Sequence, residues 1–395
     1  MEKSFIPLPF LLLALCLFFA GCKPSSSPDG PDNPDNPNNP DNPPVVVDML
    51  DVSLVDIAFT AYKDASLIVV KTNTDWTATK TADWLTLSTS SGNKNTGFLI
   101  GAIENNGFLR ETTVTIKSGD KTKQVKIRQA GAPKITIAVK DITFNMILVE
   151  GGEFSMGSSE QSDYGLPHRV KLSDFYISET EVANALWMAI LKSLPYKERS
   201  ETDKLNLPVS ETTWNEITAD FIPALNSASG KVFRLPTEAE WEFAAMGGIK
   251  SNNYKYAGSN TLDDVAWIYE SFGGTKNMVK SKLPNELGLY DMSGNVSEWC
   301  SDWYGEYYDF DLVDGTVEVP ELQTNPKGPD KGEKKIVRGG DFTDKGLWGG
   351  SRCNVKYRYS IKPSGYDGAW GNTGNPDEPQ SFFSYNTGFR LVSKH

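Results

Sequence analysis

Residues 287–303, LGLYDMSGNVSEWCSDW, constrain the fold of this chain more than any other stretch. Gly288 and the Ser293-Gly294-Asn295 cluster mark tight backbone turns, while Tyr290, Trp299 and Trp303 are rigid rings that belong in an interior rather than in water. The pattern predicts compact irregular structure, not a plain helix. Asp291 and Glu298 bracket Gly294 and Val296, so two carboxylates and nearby carbonyls can converge as the chain curls. Such oxygens suit calcium, which takes roughly six to eight of them, and a glycine lets main-chain carbonyls aim inward. In the competing reading both carboxylates satisfy N–H groups of the turn, and spacing by itself favours that reading.

The N-terminus sets the compartment. Residues 1–21 hold an early Lys3 and an apolar run at 10–20, followed by Phe19-Ala20-Gly21-Cys22. This reads as a bacterial lipoprotein signal: the run is too short and too close to the terminus for a retained span, and small residues before Cys22 suit cleavage with lipid placed on that cysteine. Residues 22–44 repeat Pro, Asp and Asn with almost nothing apolar, which predicts an extended tether. The expected location is therefore the cell envelope, lipid-anchored at the outer membrane, with the face left open. A net charge of -12 and a pI near 4.9, with no basic run, exclude a nucleic-acid partner. Cys16 leaves with the signal and Cys22 takes the lipid, so Cys300 and Cys353 remain in the folded part. They either pair in an oxidising envelope or stay as two buried thiols.

Residues 45–131 read as short strands and turns. Val114 and Ile116 alternate with threonines, residues 118–121 (SGDK) turn the chain, and Val125 and Ile127 resume the alternation, which predicts a small all-β sandwich. The order Asp75-Trp76, then DWLTL at 83–87, SSG at 90–92 and the closing Gln129-Ala130-Gly131 resembles the BACON module, an immunoglobulin-like domain of Bacteroidetes envelope proteins. That resemblance implies either carbohydrate binding or a spacer. Trp76 and Trp84 are read as core residues, which favours a spacer.

Residues 132–142 read as a linker, and 143–395 as a second domain. Residues 147–154 predict a strand and 184–194 a helix, and a further helix follows Thr237, which can cap it with Glu240. Several ordered motifs recur in this part: VEGGEFSMG at 149–157, HRVKLSDFYISETEVANALW at 168–187, RLPTEAEWEFAAMGG at 234–248, GLYDMSGNVSEW at 288–299, VRGG at 337–340 and GFRL at 388–391. Together they resemble the formylglycine-generating enzyme, or sulfatase-modifying factor, family. The resemblance implies an α+β fold related to C-type lectins, giving a multidomain chain of sandwich plus lectin-like domain. It also maps a structural calcium site, one ion, onto Asp291, Gly294, Val296 and Glu298.

The family's chemistry is missing. Its oxidation of a substrate cysteine uses two copper-binding cysteines after an Arg-Gly-Gly-Ser segment. Here Asp341 replaces the serine, Asp344 holds the first cysteine position, the second falls near Gly349, and Ser297 replaces a loop tryptophan. Copper is therefore not expected, and neither is formylglycine formation. His168 and His395 are the only histidines, too few for the iron site of the related sulfoxide synthases. The leading expectation is a non-catalytic binding or assembly module within an envelope complex. Glycan recognition is the alternative, through an aromatic tail surface of Trp370, Phe382, Phe383 and Tyr385. A third reading makes 372–384 a diversified ligand surface ahead of the terminal Gly-Phe-Arg.

Overall fold

The computed structural model describes residues 49–160, 165–195, 204–269, 273–305, 312–313, 316–317, 322–345, 352–365 and 385–394. Cys22, Trp370, Phe382, Phe383 and Gly349 lie outside the described residues.

The alternation in the first domain produces two packed sheets. One holds Leu50–Val52, Asp64–Thr72, Gly97–Ala102 and Leu85–Leu87, and the other Asp56–Phe59, Lys121–Gln129, Arg110–Ser118, Trp76–Lys80 and Ser91–Gly92. Val114 pairs with Val125 across the hairpin and both are buried; Gly119, at φ 54°, opens the two-residue turn between Ser118 and Lys121. Trp76 is 1% exposed, lies 5.1 Å from Phe98, and donates its indole N–H to Thr96 Oγ1 at 2.9 Å. It is a core residue. Trp84 is half-buried under the Arg110 guanidinium, 4.6 Å from its ring.

The expected linker is structured instead. Ile135, Ile137 and Val139 alternate inward, so Lys134–Val139 forms a strand against Ile142–Val149, in a sheet completed by Phe175–Ser178 and Val392–Ser393. The sandwich joins this sheet directly. The Tyr176 hydroxyl donates to the Ala132 carbonyl at 2.6 Å, Phe108 meets the Tyr176 ring edge-on at 4.9 Å, and Arg128 pairs with Asp174 at 3.2 Å.

A central sheet orders Arg358–Ile361, Lys335–Arg338, Ser297–Trp303 and Thr387–Gly388, and a smaller one orders Gly152–Met156, His168–Leu172 and Gln323–Thr324. Asn184–Leu191 is helical and stops short of residue 194, because Lys192 takes the left-handed conformation at φ 64°. Glu238–Ala245 has the capping box its sequence predicts: Thr237 Oγ1 accepts from Glu240 N, and Glu240 accepts from Thr237 N. All eight of its residues are buried, three glutamates included. That is tolerable because each carboxylate meets a cation: Glu238 with Arg358, Glu240 with Arg234, and Glu242 with Arg338 and Lys356.

Candidate functional site

The 285–296 loop is built around two asparagines. Asn285 donates to the Ala244 carbonyl at 2.7 Å while its Oδ1 accepts from Leu287 and Leu289 N–H, each at 3.1 Å. Asn295 adopts φ 62° and bridges two segments, accepting from Asn277 N at 2.9 Å and donating to Glu181 Oε2 at 2.8 Å. Gly294, at φ 78°, admits no side chain: an added Cβ would sit 2.7 Å from the Trp267 carbonyl oxygen. The irregular turn expected from the sequence is present, and neighbouring segments hold it in place.

Of the four proposed calcium ligands, the two carboxylates play different parts. Glu298 is fully buried; its oxygens accept from Arg390 Nε and Nη2, each at 2.6 Å, and from the Trp241 indole N–H at 2.7 Å. It is a counter-ion rather than an open ligand. Asp291 takes φ 58° and its Oδ2 accepts from Lys280 N at 2.7 Å, but Oδ1 is buried with no hydrogen-bond partner. Burial pushes its carboxyl up to about 6. Glu181 accepts from Val296 N at 2.9 Å, and burial together with Asp291 and Glu298 raises its pKa well above the usual range. Three buried carboxylates thus share one guanidinium, and one oxygen lacks a donor. This excess suits a cation at Asp291, while Glu298 does not fit as a carboxylate ligand. Among the described residues no group of three or more His, Cys, Asp or Glu is arranged to hold a metal. The sequence reading missed Glu181 and the pairing role of Arg390; the Gly-Phe-Arg motif was its available signal.

The position expected for copper chemistry holds no thiol pair. Asp344 is buried where the resemblance places the first cysteine, and the Cys353 thiol lies 3.6 Å from its Oδ2. Cys300 does not join it. Both cysteines are buried thiols in separate clusters, Cys300 beside Ile336 and Cys353 beside Ala266, so the disulfide alternative gives way to two thiols.

A cavity of about 310 Å³ has walls that include Ser297, Asp341, Thr343, Arg352, Tyr359, Tyr385 and Asn386. Asp341 anchors its floor, accepting from Thr343 N at 2.8 Å and Ser297 Oγ at 3.2 Å. Arg352 is 41% exposed at the side chain and lies 3.9 Å from Asp341. Burial opposes its charge, but Asp341 and Asp344 raise its pKa, so it stays a cation. Tyr385, the one described member of the expected aromatic tail surface, is exposed and meets the Phe342 ring edge-on at 6.2 Å. Hydroxyl, amide and guanidinium groups line this space. Such a surface can hydrogen-bond and stack with a ligand.

The domain described as "Sulfatase-modifying factor enzyme 1-like domain" matches residues 135–395, and the BACON domain, described as "Putative binding domain, N-terminal", matches residues 74–130. The chain is 33% identical over 216 residues to a protein named Chaperone protein LppX of Paenibacillus barcinonensis, covering 41% of this chain and 73% of that one. It is 29% identical over 298 residues to the formylglycine-generating enzyme of Streptomyces coelicolor, covering 59% and 88%. Among solved structures it is similar to Treponema denticola variable protein 1, with a TM-score of 0.54 and 27% identity over 67% of this chain and all of that one.

Proposed function

Because this chain belongs to the sulfatase-modifying factor enzyme 1-like family but has no cysteine at the first catalytic position, we propose that it is a non-catalytic binding protein of the cell envelope. Lipid on Cys22 anchors it to the outer membrane, residues 22–44 tether it, and the BACON-like sandwich spaces the second domain from the surface. The observation that carries this reading is the cavity walled by Asp341, Arg352, Tyr359, Tyr385 and Asn386, together with a carboxylate rather than a thiol at Asp344. A relative named as a chaperone and another named as a variable protein share the scaffold, which favours a protein partner over an oxidised substrate. Glycan recognition through the same tyrosines is the second reading, supported by the exposed Tyr385. Calcium, a single structural ion, would tie Asp291 and neighbouring main-chain carbonyls to the core. Copper has no place in this scheme.

The test is a comparison of the full lipoprotein with its Arg352→Ala, Tyr385→Ala double variant, solubilised gently from native membranes. Partner proteins should co-purify with the first and be lost from the second, while purified protein given copper, oxygen and a sulfatase-motif peptide should form no formylglycine. Formylglycine in that assay would overturn the reading. Partner recovery unchanged by the double variant would remove the cavity from it. Glycan retention lost in the variant would select the second reading.

A further inference from the structure

A second and larger cavity, about 470 Å³, is lined by Met156, His168, Glu238, Asp302, Trp303 and Arg358 among others. It lies across the central sheet from the first. On the strand Arg358–Ile361, Arg358 lines this cavity while its neighbour Tyr359 lines the other, as adjacent strand residues point to opposite faces.

Of the charged residues that line this cavity besides Asp302, Arg358 and Glu238 are matched to each other and Lys327 is an exposed ammonium on its wall; further charges nearby are also held. Arg358 grips Glu238 through two bonds of 2.8 Å, and Arg234 grips Glu240 through two of 2.7 Å. Lys335 is held between the Trp303 and Trp214 rings, 3.7 and 4.1 Å from their centres, and donates to the Ser301 carbonyl at 2.7 Å. His168 Nδ1 lies 3.0 Å from the Leu166 carbonyl, which makes that nitrogen the protonated one.

Asp302 differs from these. It is 4% exposed, and its Oδ2 accepts from Ser301 Oγ at 2.8 Å and Glu238 N at 3.2 Å. Its Oδ1 has no donor and no ion-pair contact among the described residues, and the Gly328 backbone packs close over it: an added Cβ at Gly328 would stand 3.3 Å from that oxygen. A buried carboxylate with an open oxygen calls for a charged donor. One open oxygen beside an indole and a thioether is a poor match for a divalent cation, which needs about six or more oxygens. It matches an alkylammonium, whose charge meets the carboxylate and whose methylenes lie on Trp303 and Met156.

We propose that this cavity binds a primary ammonium group carried on an aliphatic chain, with Asp302 as its counter-ion and Trp303 as its wall. The group can come from a lysine side chain or a free diamine. Burial and Glu238 push the empty site's Asp302 carboxyl up to about 7, so the arriving cation restores its ionised form.

The probes are Nα-acetyl-lysine methylamide, its 6-hydroxynorleucine counterpart and 1,5-diaminopentane, titrated calorimetrically into residues 45–395. The lysine amide or the diamine should bind at least about tenfold tighter than the hydroxyl analogue, and whichever ammonium binds better identifies the source. Asp302→Asn keeps an acceptor for Ser301 and Glu238 N and should remove about tenfold or more of the ammonium affinity. The wild-type protein gives an independent measure, because affinity should fall as pH drops from about 7.5 to about 5.5 and Asp302 protonates. Around it Arg358 is bonded to Glu238, Lys327 lines the same cavity, Lys335 remains a cation whose charge Asp302 supports, and His168 is held below its ordinary range by burial. Equal binding of ammonium and hydroxyl probes, or no saturable binding by either, would overturn the proposal.

Discussion

Arg390→Met isolates the interaction that closes the 285–296 loop. Arg390 is fully buried and makes two bonds of 2.6 Å to Glu298, with further donation to the Ser178 carbonyl at 3.1 Å and the Tyr290 carbonyl at 3.0 Å. Removing the guanidinium leaves Glu298 buried on the Trp241 indole N–H, with the carboxyls of Glu181 and Asp291 as neighbours. Breaking a buried pair from one side costs about 3–5 kcal/mol, because the surviving charge keeps its desolvation penalty. The two carbonyls that lose a donor keep the figure at the upper end, about 5 kcal/mol. For a domain of this size that is a fall of roughly 10–20 °C in unfolding temperature. Urea melts followed by near-ultraviolet circular dichroism report it, since Trp241 and Trp299 lie in the affected core. The double variant Glu298→Leu, Arg390→Met removes both charges and should recover a large part of the loss. A single-variant loss below about 1 kcal/mol, or additive effects in the double variant, would refute the reasoning.

Three further outcomes are expected. Trp76→Ala removes a ring packed on Phe98 and should cost about 3–5 kcal/mol, seen as an earlier unfolding step of the sandwich in calorimetry. Asp302 is held at about 7 against an ordinary 3.8, so between those values the folded protein keeps a proton that the unfolded chain has released. Stability should therefore fall as pH rises through that window, and Asp302→Asn should flatten the decline in pH-resolved melts. Calcium should raise the wild-type unfolding temperature but not that of Asp291→Gly, a residue that accepts φ 58°; equal shifts in both proteins would remove Asp291 from the ligand set.

Local pattern carried a good deal of this. The Val114 and Val125 hairpin, the Thr237 and Glu240 capping box and the irregular loop after Gly288 were each readable, because period, cap and turn chemistry act over a few residues. Residues 132–142 misled as a linker, whereas Ile135, Ile137 and Val139 belong to a strand paired with Ile142–Val149 in a sheet that is completed by Phe175–Ser178 and Val392–Ser393. Glu298 misled in another way. Its spacing from Asp291 suits a metal loop, but Arg390 lies 92 residues on and takes its oxygens.

The sequence by itself determined the two folded domains, the loss of the copper-binding pair and the elements whose signals are local. Only the tertiary structure decided which charges meet. Arg358 with Glu238, Arg338 with Glu242 and Arg390 with Glu298 are separated by 120, 96 and 92 residues. Ion pairing depends on separation in space and on burial, neither of which a linear spacing encodes. The same holds for what stays unmatched: Asp291 Oδ1, buried without a donor, stands out only once every neighbouring donor has been placed.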